Sequence, residues 1–161
     1  MSTARASFLS APRCISQTVT FAELTASSNG ADQTISLNEK LPANAIVLAT
    51  WINVETLFSG GGASAVTLDV GWSGGAADAE GWYKNQDVFT GAATGIRAIG
   101  TGGALGNRVA GANCDVDAAV RTITLNFDPD GGHKLSELTA GSVSFNLIYV
   151  IEAANDLILP R

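Results

Sequence analysis

Between Ser142 and Ala153 the chain reads "SVSFNLIYVIEA", and every second residue (Val143, Phe145, Leu147, Tyr149, Ile151) is apolar. Successive side chains of a β-strand point to opposite faces, so sustained period-two alternation predicts a strand buried on one face. The pattern recurs along the chain. Val19 and Phe21 alternate with Thr18 and Thr20 in "QTVTFAEL", and Ile35 and Leu37 follow in "QTISL". Val66, Leu68 and Val70 alternate in "AVTLDVGW", as do Ile123, Leu125 and Phe127 in "AAVRTITLNF". The stretches between are turn-formers: "SSNGAD", Pro42 to Asn44, and "SGGG" from Ser59 to Gly62.

Composition agrees with this reading. Glycine is enriched, 18 of 161 residues, about 11% against a usual value near 7%. Only three lysines occur, Lys40, Lys84 and Lys134, and a chain poor in such residues is a weak helix former. A weak helical pattern is confined to residues 135–138. Six or more strands without alternating helices predict an all-β, single-domain β-sandwich of jelly-roll type. Residues 17–161 form that domain. Residues 1–16 show neither periodicity, and Pro12 forbids a regular continuation, so they read as an extended N-terminal arm. Phe8 and Leu9 are wasted on a solvated tail, which leaves two readings open, a packed arm or a frayed terminus.

"AIVLATWINVET" is apolar on both faces over its first half. Strict alternation puts Ile46, Leu48, Ile52 and Val54 on one face and Val47, Ala49 and Trp51 on the other. Such a strand is buried on both sides or lies at a subunit contact. Residues 73–117, with ten glycines, resist assignment apart from the aromatic island "GWYKNQDVF".

The formal charge is −6, and nine basic residues are scattered over the whole chain. Nucleic-acid binding needs clustered Lys and Arg, and a membrane-spanning helix needs ~20 apolar residues. The longest apolar runs, "AIVLATW" and "LIYVI", fall far short, so neither nucleic acid nor membrane is expected as a partner. "MSTARASFLSAPRC" lacks the apolar core of a secretory signal. Cys14 and Cys114 could form one disulfide, but they read as free or packed thiols of a protein made in a reducing cytosol.

"LNFDPDGGHKLSEL" imitates a calcium loop, with Asn126, Asp128, Asp130, Gly131 and Glu137 in the twelve-residue register. An EF-hand places its loop between helices, whereas these flanks are strands, Asn126 stands at the first ligand position and Pro129 at the fourth. Asp-Pro-Asp-Gly-Gly is what a tight turn requires. The single histidine, His133, lies in that turn, and neither Ser136 nor a thiol near it resembles an activated nucleophile. One histidine and two distant cysteines make no zinc set. Asp78 with Glu80, or Asp115 with Asp117, are carboxylate pairs of the kind fifteen acidic residues always offer. "GTGGALGN" (Gly100 to Asn107) lacks the Lys-Ser/Thr ending of a phosphate loop and has Leu105 at the third glycine position. Trp72, Trp82 and Tyr83 read either as a sugar-stacking platform or as anchors holding a glycine-rich loop onto the sandwich. No catalytic constellation, cofactor or metal is expected.

Taken in order, "TVTFAEL", "LPANAIVLATWINVETLFSGGGASAVTLDVGWSGGAADAE", "DVFTGAATG" and "LTAGSVSFNLIYVIEA" resemble the head decoration, or cement, proteins of tailed bacteriophages, small β-sandwich virion proteins. The resemblance spans residues 17–153. It implies a non-enzymatic protein that binds the outer capsid surface and holds the shell against internal pressure, with the major capsid protein as partner. It also implies a homo-oligomer, often a trimer. In that setting Arg5, Phe8, Leu9 and Arg13 are the expected capsid contacts, and Val47 and Trp51 the expected contact between copies. The alternative is a receptor- or glycan-binding module of a phage tail or fibre, acting through Trp72, Trp82 and Tyr83.

Overall fold

The computed structural model describes residues 8–74, 77–98 and 119–153. Nine strands form in chain order: β1 (Phe8–Leu9), β2 (Arg13–Thr20), β3 (Gln33–Leu41), β4 (Ala45–Gly60), β5 (Val66–Ser73), β6 (Asp78–Asp87), β7 (Gly95–Ala98), β8 (Arg121–Pro129) and β9 (Leu138–Ala153). Two single 3₁₀ turns, Phe21–Glu23 and Leu135–Glu137, are the helical elements among the described residues.

The strands make two antiparallel sheets. In the first, β9 lies between β4 and the β1–β2 edge, and β7 borders β4 on its far side; in the second the order is β3-β8-β5-β6. The pairs β2–β9, β3–β8, β4–β7 and β5–β6 are nested, each inside the one before. A long hairpin ribbon rolled up so that successive pairs fall alternately in one sheet and the other has this connectivity. It is the jelly roll expected from the alternation.

Alternation decides what lies between the sheets. Val143, Phe145 and Leu147 of β9, Ile15 and Val19 of β2, and Ile52 and Val54 of β4 are buried from the first sheet. Val66, Leu68 and Val70 of β5 and Ile123, Leu125 and Phe127 of β8 are buried from the second. Tyr83 ties the layers together, its phenol donating to the Thr50 carbonyl at 3.0 Å. Burial pushes the Tyr83 phenol above its usual range, which keeps it protonated as a donor.

Departures from regular pairing in β4 and β6 change which side chains face inward. Val47 pairs with Tyr149 and Ala49 with Ile148, so Leu48 is an extra residue in β4. A bulge of this kind reverses the parity of everything before it relative to everything after. Val47 therefore packs against the core, Ile46 turns outward opposite Val150, and Leu48 is 51% exposed. This corrects the expectation that Val47 shares a face with Trp51. The second departure is in β6, where Leu68 pairs with Gln86 but Val70 pairs with Tyr83, and Asn85 takes a positive φ of 50°. A further shift lies between the Val70–Tyr83 and Trp72–Asp78 pairs and spans Trp82, so that Trp82 and Tyr83, neighbours in sequence, are both buried.

The N-terminal boundary also differs from expectation. Strand β2 starts at Arg13, and residues 13–16 pair in order with Tyr149, Ile148, Leu147 and Asn146 of β9. Phe8 and Leu9 pair with Ala153 and Glu152, and Ser10 closes the link, its Oγ accepting from the Ile151 N–H at 2.8 Å. The second half of the expected arm is thus main-chain bonded to the protein's own sheet.

Candidate functional site

The two outer faces of the sandwich differ in charge. Across the first sheet, cross-strand neighbours form rows on the outer face: Cys14–Ile148–Ala49, Ser16–Asn146–Trp51, Thr18–Ser144–Asn53–Ile96 and Thr20–Ser142–Thr56. No residue in these rows is charged. Ser16 Oγ donates to Asn146 Oδ1 at 2.7 Å, Trp51 is half-buried, and Ile96 is 71% exposed. Glu55 stands at the bulge between the last two rows.

The second sheet carries Asp128–Thr67–Asp87 and Thr34–Asn126–Asp69 on its outer face. Asp69 accepts the Asn85 N–H at 2.6 Å, and an exposed Lys84–Glu80 ion pair lies along the β6 edge. This face is polar and acidic.

At one end of the sandwich, three loops are clasped together. Asp130 Oδ2 accepts from Ser64 Oγ at 2.6 Å and from the Ser64 N–H at 3.3 Å. The His133 carbonyl accepts from the Gly30 N–H at 2.8 Å, and its ring Nδ1 lies 3.2 Å from the Gly61 carbonyl. The calcium-like register is therefore occupied by other work: Asp130 holds the β4–β5 loop, and Glu137 pairs with Lys134 at 3.0 Å. Among the described residues, no three His, Cys, Asp or Glu side chains gather closely enough to hold a metal ion.

Hydrogen bonds from Ser64, outweighing partial desolvation, hold the Asp130 carboxyl below its ordinary 3.8, with His133 adding to the effect. A depressed folded-state value stabilises the protein above the unfolded value and is lost as pH falls through the folded one. Stability measured by urea midpoints should therefore decline on acidification below pH 3.8. In Asp130→Asn that part of the decline should be absent; identical acid limbs in the two proteins would refute the assignment.

Of the expected sugar platform, Trp72, Trp82 and Tyr83 are 3%, 4% and 1% exposed. Stacking a sugar needs an open ring face, and none of the three has one, so the anchor reading is the one the geometry fits. Trp72 and Trp82 lie with ring centroids 4.9 Å apart, and Trp82 stacks on Phe145 at 5.5 Å. The Arg121 guanidinium lies over the Trp72 ring, 5.1 Å from its centroid. Trp51 does face outward. Arg13 and Cys14 are exposed on β2. Arg5, Cys114, Asp115, Asp117 and the 100–107 glycine run lie outside the described residues.

Sequence reading missed this face, whose paired rows are uncharged and whose carboxylates, Glu55 and the Glu23 that accepts from Thr20, adjoin its last row. Its signal is the set of small polar residues that alternate with the core positions of β2 and β9. Strand by strand, those residues mark only a solvent side.

In a comparison with solved structures, the chain is similar to one from the capsid of Ralstonia phage GP4, with a TM-score of 0.56 and 20% identity over 96% of this chain and 93% of that one. At that identity the likeness is one of fold. No protein-family model matches the sequence, and a search of curated proteins found no match.

Proposed function

We propose that this chain is a non-enzymatic virion structural protein that binds the outer surface of a bacteriophage capsid and reinforces the shell. The observation that carries this reading is a fold shared along nearly the whole of both chains with a component of a phage capsid. The order of strand and turn phrases, which resembles that of head decoration proteins, supports the same role from the sequence side. The physical properties suit it. A sandwich whose two layers interlock through nested pairs resists deformation, and a surface of net charge −6 stays soluble and avoids nucleic acid.

The contact with the major capsid protein is assigned to the N-terminal end. Pairing of Phe8 and Leu9 with β9 fixes where the chain joins the sandwich. Arg5 and Arg13 supply positive charge for an acidic shell surface. Main-chain pairing of this kind extends naturally onto a neighbour's strand.

The test is the copy number of the chain in purified particles from its source, measured by quantitative mass spectrometry after sedimentation. Copies in the hundreds, comparable with the major shell protein, are expected. A handful per particle would place it in the tail or a fibre, and absence from every particle would overturn the virion reading.

A further inference from the structure

We propose that Asn29, in the turn between β2 and β3, is a self-modification site: it deamidates through the backbone nitrogen of Gly30, at a rate set by the loop clasp that Asp130 and His133 build. Asn29 is the only asparagine of the chain followed by glycine. Glycine has no side chain to hinder its amide nitrogen. Once that nitrogen has lost its proton it can attack the side-chain carbonyl carbon of Asn29. A C–N bond forms and closes a five-membered succinimide, the bond from that carbon to the side-chain nitrogen breaks, and ammonia leaves. Water then opens the ring at either carbonyl. The product is an aspartate or, with the main chain rerouted through the side chain, an isoaspartate.

The turn leaves the electrophile free and ties down the nucleophile. The Ala31 N–H donates to the Ser28 carbonyl at 3.2 Å, and Gly30 has a φ of 65°, the type II pattern whose third residue needs a positive φ. Asn29 is exposed, and its side-chain amide makes no hydrogen bond among the described residues. Gly30, by contrast, donates its N–H to the His133 carbonyl at 2.8 Å. A β-carbon at Gly30 would stand 3.1 Å from the Gly131 Cα, so this peptide lies directly against the β8–β9 loop. The proton that the reaction must remove is the one His133 accepts, and a docked peptide cannot turn its nitrogen toward Asn29. The β8–β9 loop is fixed from its other side by Ser64 Oγ donating to Asp130 Oδ2 at 2.6 Å and by the His133 ring 3.2 Å from the Gly61 carbonyl. Reaction therefore passes through molecules in which the clasp has opened locally. It runs one way. The extra main-chain carbon of the isoaspartate lengthens the turn and takes the Gly30 N–H away from His133, and either product adds a negative charge to a chain already at −6.

Intact-mass measurement with peptide mapping of the full chain, incubated at mildly alkaline pH, follows the gain of one dalton at Asn29. The chain unfolded in urea is expected to gain it, and the folded wild type to do so about tenfold more slowly or less. Ser64→Ala and Asp130→Ala each remove a hydrogen bond to a charged group and should speed the folded reaction about tenfold. Asn29→Gln, which would have to close a six-membered ring, should abolish the gain at that position. Ser64 is exposed and its N–H also donates to Asp130, so Ser64→Ala should keep the wild-type circular dichroism spectrum, which separates an opened clasp from lost fold. A folded wild type that reacts as fast as the unfolded chain would overturn the assignment. So would clasp variants that react at the wild-type rate, or an unfolded chain that gains no mass at Asn29. None of these outcomes bears on the capsid reading.

Discussion

Trp82→Ala is expected to cost about 3–5 kcal/mol of folding stability, the range for emptying a large aromatic site in a core. Trp82 is the middle of a stack that crosses the sandwich: Arg121 over Trp72, Trp72 against Trp82, and Trp82 against Phe145 of the opposite sheet. Removing the indole leaves a space bounded by two rings and by strands already fixed in their pairing, so collapse is limited. Trp72 would then lose its partner on one side while Arg121, only 6% exposed, loses the backing of the ring it covers. Trp82→Phe should recover more than half of the loss, since a ring returns to the same place. Urea denaturation midpoints measure both. The experiment also discriminates between readings of the aromatic island. A surface platform for a sugar would lose ligand affinity and almost no stability, so a cost below about 1 kcal/mol would mean that the stack does not form.

How much of this could be read from the residues depends on where pairing is regular. Strands β5, β8 and β9 obey period two without interruption through their core positions, and their inward residues are those the alternation predicts. The jelly-roll class follows from strand number and turn chemistry. Parity is what sequence alone does not give. Leu48 has no compositional mark of a bulge, because an apolar residue in an apolar run is as consistent with pairing as with its absence. One unpaired residue there is enough to exchange the faces of Val47 and Ile46. The aromatic island is illegible for the same reason. Adjacent tryptophan and tyrosine in a regular strand must point opposite ways, and it is the broken register between Tyr83 and Asp78, beyond the slip near Asn85, that lets both be buried. In the N-terminal segment the difficulty is different. "RCIS" has one large aliphatic residue, Ile15, too few to show a period, and its strand character comes from the β9 edge beside it rather than from its own sequence. The outer face of the first sheet is legible only once β2, β9, β4 and β7 are known to be neighbours.

Gly71→Ala is expected to cost about 3 kcal/mol, the upper end of the usual range for forcing extra atoms into a packed site. The reason is an approach of backbone to backbone. Val70 and Trp72 are both buried, and over Gly71 between them the start of β6 folds closely. A β-carbon at Gly71 would overlap the Asp78 carbonyl oxygen and the carbonyl group of Ala79. Those are main-chain atoms that no rotamer change can move aside. Relief would require β6 to lift away, which would break the Trp72–Asp78 pairing and disturb Gly81 and Trp82 just beyond it. Gly81 is itself a close approach, since a β-carbon there would enter the Trp72 ring, so the strand has little freedom to shift along its length. The same substitution at Gly131, where nothing lies within 4 Å, should change stability by no more than about 0.5 kcal/mol. Both variants add one methyl group in place of a glycine hydrogen, and neither glycine has a positive φ, so the comparison isolates the steric term. Equal urea midpoints for the two would show that β6 does not cross Gly71, and the register that buries Trp82 would fall with it.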